Sequence, residues 1–576
     1  MASTVQCKDN PTPASAGVAE TNNWDTVFAI NFSNANKAIK SQKSSPPAFT
    51  GTKPGGGFSG PAIVVDGKFG DWQLTGGSGS LADMTLPISG TATAQTAPVQ
   101  QIPFTGTAVI QVGMNYIPQP GASSSSKVSG GAPNALMVKT STDDPRTQPV
   151  VSVLTLTLDA DAAEAHDAVS SVLEQWLLDN LGSFNHTFAA IDLGAVADKD
   201  QFQWLAPTHV GYGINNPENA QPDDYIFAVM AMTENRPGVN LGHEVSPNVI
   251  PSGCNSGFLI SQERFLTKLM LPGIEKMFMN ASDTDFAVTE DGSTISNVNP
   301  ITFQNFQTSN SDGSDTVTIT GATIDANNFT LMASATTLRL SFVDLHFPWN
   351  DGGYTVHMVY NSECELYMDA NKHFQACVVG TPSLSVTVTE SSAEKWTNII
   401  VGVVEGIGLA VAGAAIGGAL GPAAEASGDA IESGASTAAG AVEGTTDALE
   451  FAGDLPADSD IANLDEVNSA DDTEASSDME NADDESYSSK FKGFFRRNWR
   501  KILGMAIGGA VGAVTAKLPD ILEAYSEQDL AKMPTLDEFA DYSIAPVTWP
   551  GQTGYQLVSI ALNESLQMGL NVTIAD

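Results

Sequence analysis

Residues 256–280, SGFLISQERFLTKLMLPGIEKMFMN, constrain the fold more than any other stretch, because a strand and a helix are written there with no linker between them. Gly257, Phe258, Leu259 and Ile260 form a short apolar run of the kind that makes a buried strand. Ser261 sits where an N-cap belongs, and Glu263 places a carboxylate in the positive first turn of a helix. Leu266, Leu269, Met270, Ile274, Met277 and Phe278 then share one face at helical spacing. Pro272-Gly273 is expected to kink that helix midway, since proline removes a donor and crowds the carbonyl four residues back. A stripe rich in Leu, Met and Phe suits either a packed core or the wall of an acyl-chain tunnel.

The same reading extends along the chain. Phe28, Ile30 and Phe32 alternate as one strand face, and Ser33 or Asn34 caps a short helix through Ala35, Ala38 and Ile39. AIVVDGKFGDWQL reads as a hairpin turning at Asp66-Gly67, a favoured type I′ pair. Strands are expected at 81–88, 106–117 and 149–158. A helix from about Asp161 to Leu181 carries Val169, Val172, Leu173, Trp176, Leu177 and Leu181 as its stripe. Further strands are read at 225–232, 317–324, 329–335, 337–343, 354–367 and 384–388, and Val558, Ile560 and Leu562 alternate near the end. Long strands with a few long amphipathic helices mark an α+β chain of antiparallel sheets, not alternating βαβ units.

The organisation that follows has a loose N-terminus (1–20), a β-rich part (21–145), a central α+β part (146–393), an insertion (394–517) and a closing part (518–576). In the insertion, Trp396–Leu420 is almost uncharged, and Gly413, Gly417 and Gly421 recur every fourth residue, as do Gly504, Gly508 and Gly512 in a second apolar segment. Such repeats let two helices approach closely, so the segments are expected to form a glycine-rich helical hairpin, either packed against the body or, as an alternative function, inserted in a membrane. Its loop, 423–489, holds 19 acidic residues and no Lys or Arg, the composition of a disordered tract. The basic, aromatic stretch after it offers Phe491, Phe494, Phe495, Arg496, Arg497, Trp499 and Arg500 as candidate membrane contacts, or as partners screened by that acidic loop.

Charge and cysteine usage exclude several classes. A net charge of −42 argues against nucleic acid as a partner. The opening residues lack the basic and apolar regions of a Sec signal, so a cytoplasmic protein, or one released by another route, is expected. Cys364 and Cys377 flank Asp369–Lys372; a two-residue loop there would set the thiols face to face, as a cross-strand disulfide or a reduced pair. Gly253-Cys254-Asn255-Ser256-Gly257 has the wrong spacing for a nucleophile elbow, and His243-Glu244 lacks the second zincin histidine because 247 is Pro. Asp312-Gly313-Ser314-Asp315 and Asp159-x-Asp161-x-x-Glu164 read as a hairpin turn and a helix cap, in preference to calcium loops. No catalytic residue, no cofactor and no metal centre is expected.

Three stretches carry a resemblance. TNNWDTVFAINFSNANKAI, GFLISQERFLTKLMLPGI and APVTWPGQTGYQLVSIALNESLQMG, in this order, resemble the forty-seven-kilodalton (P-47) protein family of the orfX-type gene clusters of botulinum-like neurotoxins. That family is similar in fold to the tubular lipid-binding (TULIP) superfamily, in which a curved antiparallel sheet wraps a long helix and leaves an apolar groove. The resemblance implies a non-enzymatic protein of lipids or membrane surfaces, an accessory of a bacterial toxin system with other proteins of a toxin complex as alternative partners. Phe265, Leu266, Leu269, Met270 and Met277 would then line the groove, with Val169, Leu173, Trp176 and Leu177 from the other helix. The acidic tract and the basic stretch 490–501 have no counterpart in the resemblance.

Overall fold

The alternating stretches pair into three large antiparallel sheets and a small hairpin (Phe306–Ser309 with Thr316–Ile319) in the computed structural model. It describes residues 17–56, 60–118, 134–140, 150–192, 200–275, 278–303, 306–309, 316–349, 354–368, 372, 374–388, 462–463 and 536–575. Both ends of the described chain meet in the central sheet. Thr26–Asn31 lies between Ile226–Thr233 and Ser256–Ile260, and Ser256–Ile260 in turn pairs with Ser565–Ile574. All eight residues of Ile226–Thr233 and all five of Ser256–Ile260 are buried, which is why both read as unbroken apolar runs rather than alternating ones. The first helix, Phe32–Ser41, follows Thr26–Asn31 directly and buries Ala35, Ala38 and Ile39 as expected.

The N-terminal sheet is built on two long strands, Leu81–Ala94 and Gln100–Pro118, paired along their length. Each carries two shorter strands end to end on its outer edge. Ile63–Phe69 pairs with residues 88–94 and Gln73–Ser78 with 81–85. On the other side Val151–Leu158 pairs with 106–112 and Asn134–Val138 with 114–118. Because neighbouring strands twist relative to each other, changing partners midway along a long strand lets the two halves curl apart. The concave inside is lined by Ala82, Met84, Leu86, Ile88, Ala108, Ile110, Val112 and Met114, all buried. The third sheet runs from Phe286–Val288 through Leu338–Trp349 to Tyr354–Met368 and Phe374–Val388; on it Phe278 meets Phe303 and Phe329, both of these meet Phe342, and Phe342 stacks on Tyr360. Among the described residues no helix is long and apolar enough to cross a membrane.

Several local expectations are corrected. Asp66-Gly67 does not turn: both lie inside the strand Ile63–Phe69, and Gly67 is there because a Cβ would stand 2.2 Å from the Phe49 ring. The first helix is capped by Asn31, whose side chain accepts from the Asn34 amide at 3.1 Å, rather than by Ser33 or Asn34. Cys364 pairs with Val378, and Cys377 with Glu365. Met368 faces Phe374, so the loop holds five residues instead of two; that odd count slips the register by one, and the two cysteines are not cross-strand partners. Cys364 is a buried free thiol whose pKa burial pushes up to about 12. A register shift between Leu557 and Ser559 likewise buries Leu557 and leaves Val558 37% exposed.

Residues 17–20, read as part of a loose terminus, are placed: Ala19 is buried and its amide donates to the Asn563 carbonyl. Leu536–Ile544 is a helix that the periodicity did not indicate. The glycine-rich segments, the candidate membrane contacts at 491–500 and nearly all of the acidic tract lie outside the described residues.

Candidate functional site

The second helix, His166–Asp179, emerges from a tight turn over Ala160–Ala165 and has no side-chain cap. Val169, Val172, Leu173 and Leu177 are buried as the spacing predicts. They face the N-terminal sheet at Ala48–Lys53, Ile63–Phe69 and Val151–Leu158. Helix and strand meet so closely at Gly51 that a Cβ there would lie 2.8 Å from Val172 Cγ1. Trp176 is half-buried and packs at a tilt on Phe69, with ring centroids 5.2 Å apart, and from Phe69 the rings continue through Trp72 to Phe184. Beside Trp72, His186 is fully buried, and burial pushes its pKa down to about 4.

The third helix occupies 262–275 and is built differently. The Ser261 hydroxyl accepts from the Arg264 amide at 3.3 Å, as its cap position predicts. One α-helical stretch (Gln262–Arg264) opens into a π-helical one (Phe265–Met270) before closing again as Leu271–Glu275. Pro272 supplies the reason: its ring crowds the carbonyl four residues back, and the wider π turn moves that carbonyl aside. The expected break therefore takes the form of a widened helix upstream of the proline. Phe265, Leu266, Leu269 and Met270 are buried on its inner face, while Met277 lies outside the described residues.

Charges collect at the start of this helix, where the macrodipole favours anions. Glu263 accepts from Arg236 Nη2 at 2.5 Å, and the other guanidinium nitrogen of Arg236 binds Asp25. Asp25 is buried at the end of the central sheet and also accepts from the Thr233 amide and hydroxyl, each at 2.8 Å. Arg264, buried, pairs with Glu234 and lies 5.4 Å from the Trp204 ring centroid, and Lys268 reaches Glu234 at 2.6 Å. Burial works to raise the Glu234 pKa, but hydrogen bonds from Lys268 and Arg264 outweigh it and hold the carboxyl below its ordinary value.

The described lining residues thus belong to one continuous core, with those of the second helix set against the N-terminal sheet. The charged collar escaped sequence reasoning because Asp25, Arg236 and Glu263 are far apart in the chain. So did Asp344, His346 and His357, whose donor atoms lie within 4.8 Å of one another on the third sheet; only the fold brings them together. The two helices offer apolar surface and, at one end, paired charge.

Comparison with known proteins agrees with this architecture. The family described as OrfX-like, Protein OrfX2/OrfX3/P47, matches residues 21–435. Protein OrfX3 of Paraclostridium bifermentans is 32% identical over 288 residues, covering 46% of this chain and 56% of that protein. Protein OrfX3 of Clostridium botulinum (strain Kyoto / Type A2) is 27% identical over 300 residues, with the same coverage of 46% and 56%. The match therefore spans only about half the length of these curated relatives. The solved structure of P47 from Clostridium botulinum A2 has a TM-score of 0.50 at 15% identity, over 69% of this chain and 89% of that one, a likeness of fold.

Proposed function

The chain belongs to the OrfX2/OrfX3/P47 family, and from that membership we propose a non-enzymatic protein that binds a lipid or other apolar ligand at the third helix. The observation that carries this reading is the π-helical stretch Phe265–Met270. A π turn is less stable than an α turn and is found mostly where function retains it. Here it presents Phe265, Leu266, Leu269 and Met270 to the interior, side chains that repack around an acyl chain without exposing polar atoms. The collar of Asp25, Arg236 and Glu263 fixes the start of the helix, so ligand entry is accommodated by the half beyond it. Service in a bacterial toxin system, beside other proteins of a toxin complex, belongs to the same proposal.

The test is lipid extraction and mass spectrometry of the purified full chain, with binding to liposomes of varied headgroup. A retained lipid, or liposome binding, that falls with Leu269→Trp while circular dichroism is unchanged supports the proposal. No lipid in the extract together with no liposome binding overturns it. A pull-down of neighbouring toxin-complex proteins that is untouched by the same variant would place the function on a protein-binding surface instead.

A further inference from the structure

We propose that Asp344, His346 and His357 form a transition-metal site on the outer face of the third sheet, with Zn²⁺ the ion that fits best. The strands Leu338–Trp349 and Tyr354–Met368 are antiparallel neighbours, and His346 stands directly opposite His357. The two rings lie 5.7 Å apart with planes 28° from parallel. A register shift between Phe342 and Leu345 sets Val343 and Asp344 against Val359 alone. That bulge turns both residues outward, so that Asp344 shares a face with His346 while Phe342, Leu345 and Phe347 point into the core. Asp344 Oδ1 lies 2.9 Å from His357 Nδ1.

Three donor atoms, one from each residue, fall within 4.8 Å of one another. A tetrahedral ion with bonds of about 2.0–2.2 Å needs donors roughly 3.4 Å apart, a gap that side-chain rotation closes. A second observation points to a ligand: His346 Nδ1 is buried with no hydrogen-bond partner. Orphaned buried nitrogens are uncommon, and a metal coordinated by the imidazole is one remedy. Two imidazoles and a carboxylate select a borderline ion such as Zn²⁺ over Mg²⁺ or Ca²⁺, which prefer all-oxygen shells. Asp344 and His357 are each partly exposed, at 36% and 42% of the side chain, which leaves a path for the ion and a fourth position for water. Thr323 faces His346 on the next strand and Thr387 faces His357, so the surrounding row adds no competing charge.

Such an ion would tie Leu338–Trp349 to Tyr354–Met368, and the folded state should be stabilised increasingly as zinc concentration rises. The full chain is stripped with EDTA, dialysed against Zn²⁺ in excess Mg²⁺ to saturate its acidic surface, and assayed for bound metal and for Tm. We expect one more zinc per chain in the wild type than in a His346→Ala/His357→Ala variant, and a zinc-dependent rise in Tm. Asp344→Asn, which keeps the shape and a hydrogen-bond acceptor, should weaken binding about 10–100-fold and provides the comparison if the double variant does not fold. Equal zinc content and equal Tm response in the wild type and these variants would overturn the assignment.

Discussion

At the second helix Val172 meets Gly51, Trp176 packs on Phe69, and no side chain caps the N-terminus. At the third, Ser261 caps the helix, Arg236 joins it to Asp25 in the central sheet, and the middle turns are π-helical. Both bury apolar stripes that look alike in sequence. The second is held by shape, since close packing to a glycine leaves no room for another arrangement. The third is held by its first turn and its ionic anchor, with strain concentrated just beyond. Two stripes that look alike in sequence are therefore attached to the body by different means.

Four changes would break or sharpen that contrast. Asp25→Ala should have the largest effect, because it leaves the buried Thr233 amide and Arg236 without their carboxylate; a loss of about 3–5 kcal/mol in urea unfolding is expected. Next comes acidification, acting on the second helix's side through His186, which burial keeps neutral down to about pH 4. Below about pH 6.5 the unfolded chain takes a proton that the folded chain refuses, so stability falls from pH 6.5 to 4 and is fully present above 6.5. The slope should approach ~1.4 kcal/mol per pH unit and amount to roughly 3 kcal/mol, and His186→Gln should abolish it in urea midpoints read across that range. Gly51→Ala should cost about 1–3 kcal/mol by driving a methyl into Val172, with Val172→Ala restoring part of the loss in thermal melts. Smallest in stability is Pro272→Ala, which should change unfolding by no more than about 1 kcal/mol while letting the π turn close to α. Its readout is faster amide exchange lost from Phe265–Met270, along with a fall in lipid retention.

The local signals were legible: the strand and cap at 256–263, the stripes of both helices and most long strands depend on neighbours a few residues apart. What failed depends on partners distant in the chain. Gly67 resembled a turn residue because the Phe49 ring that claims its space comes from another strand. Val558 and the Cys364–Cys377 pair were misassigned by one residue, since a bulge and an odd-length loop each slip the register by one. The widened helix was half-read: Pro272 predicted a disturbance, but its form depends on how the preceding carbonyls rearrange. Asp344, His346 and His357 carried no recognisable spacing, because one of the three is a cross-strand neighbour.

The central sheet places Thr26–Asn31 beside Ser256–Ile260, and Ser256–Ile260 beside Ser565–Ile574. On the ribosome, then, the strand that launches the third helix waits with one open edge while some three hundred further residues are synthesised, roughly half a minute at ordinary elongation rates. An open apolar edge of that kind is a template for pairing with another nascent chain. Yield in the cell should therefore be governed less by the finished protein's stability than by what shields that edge before the last strand arrives.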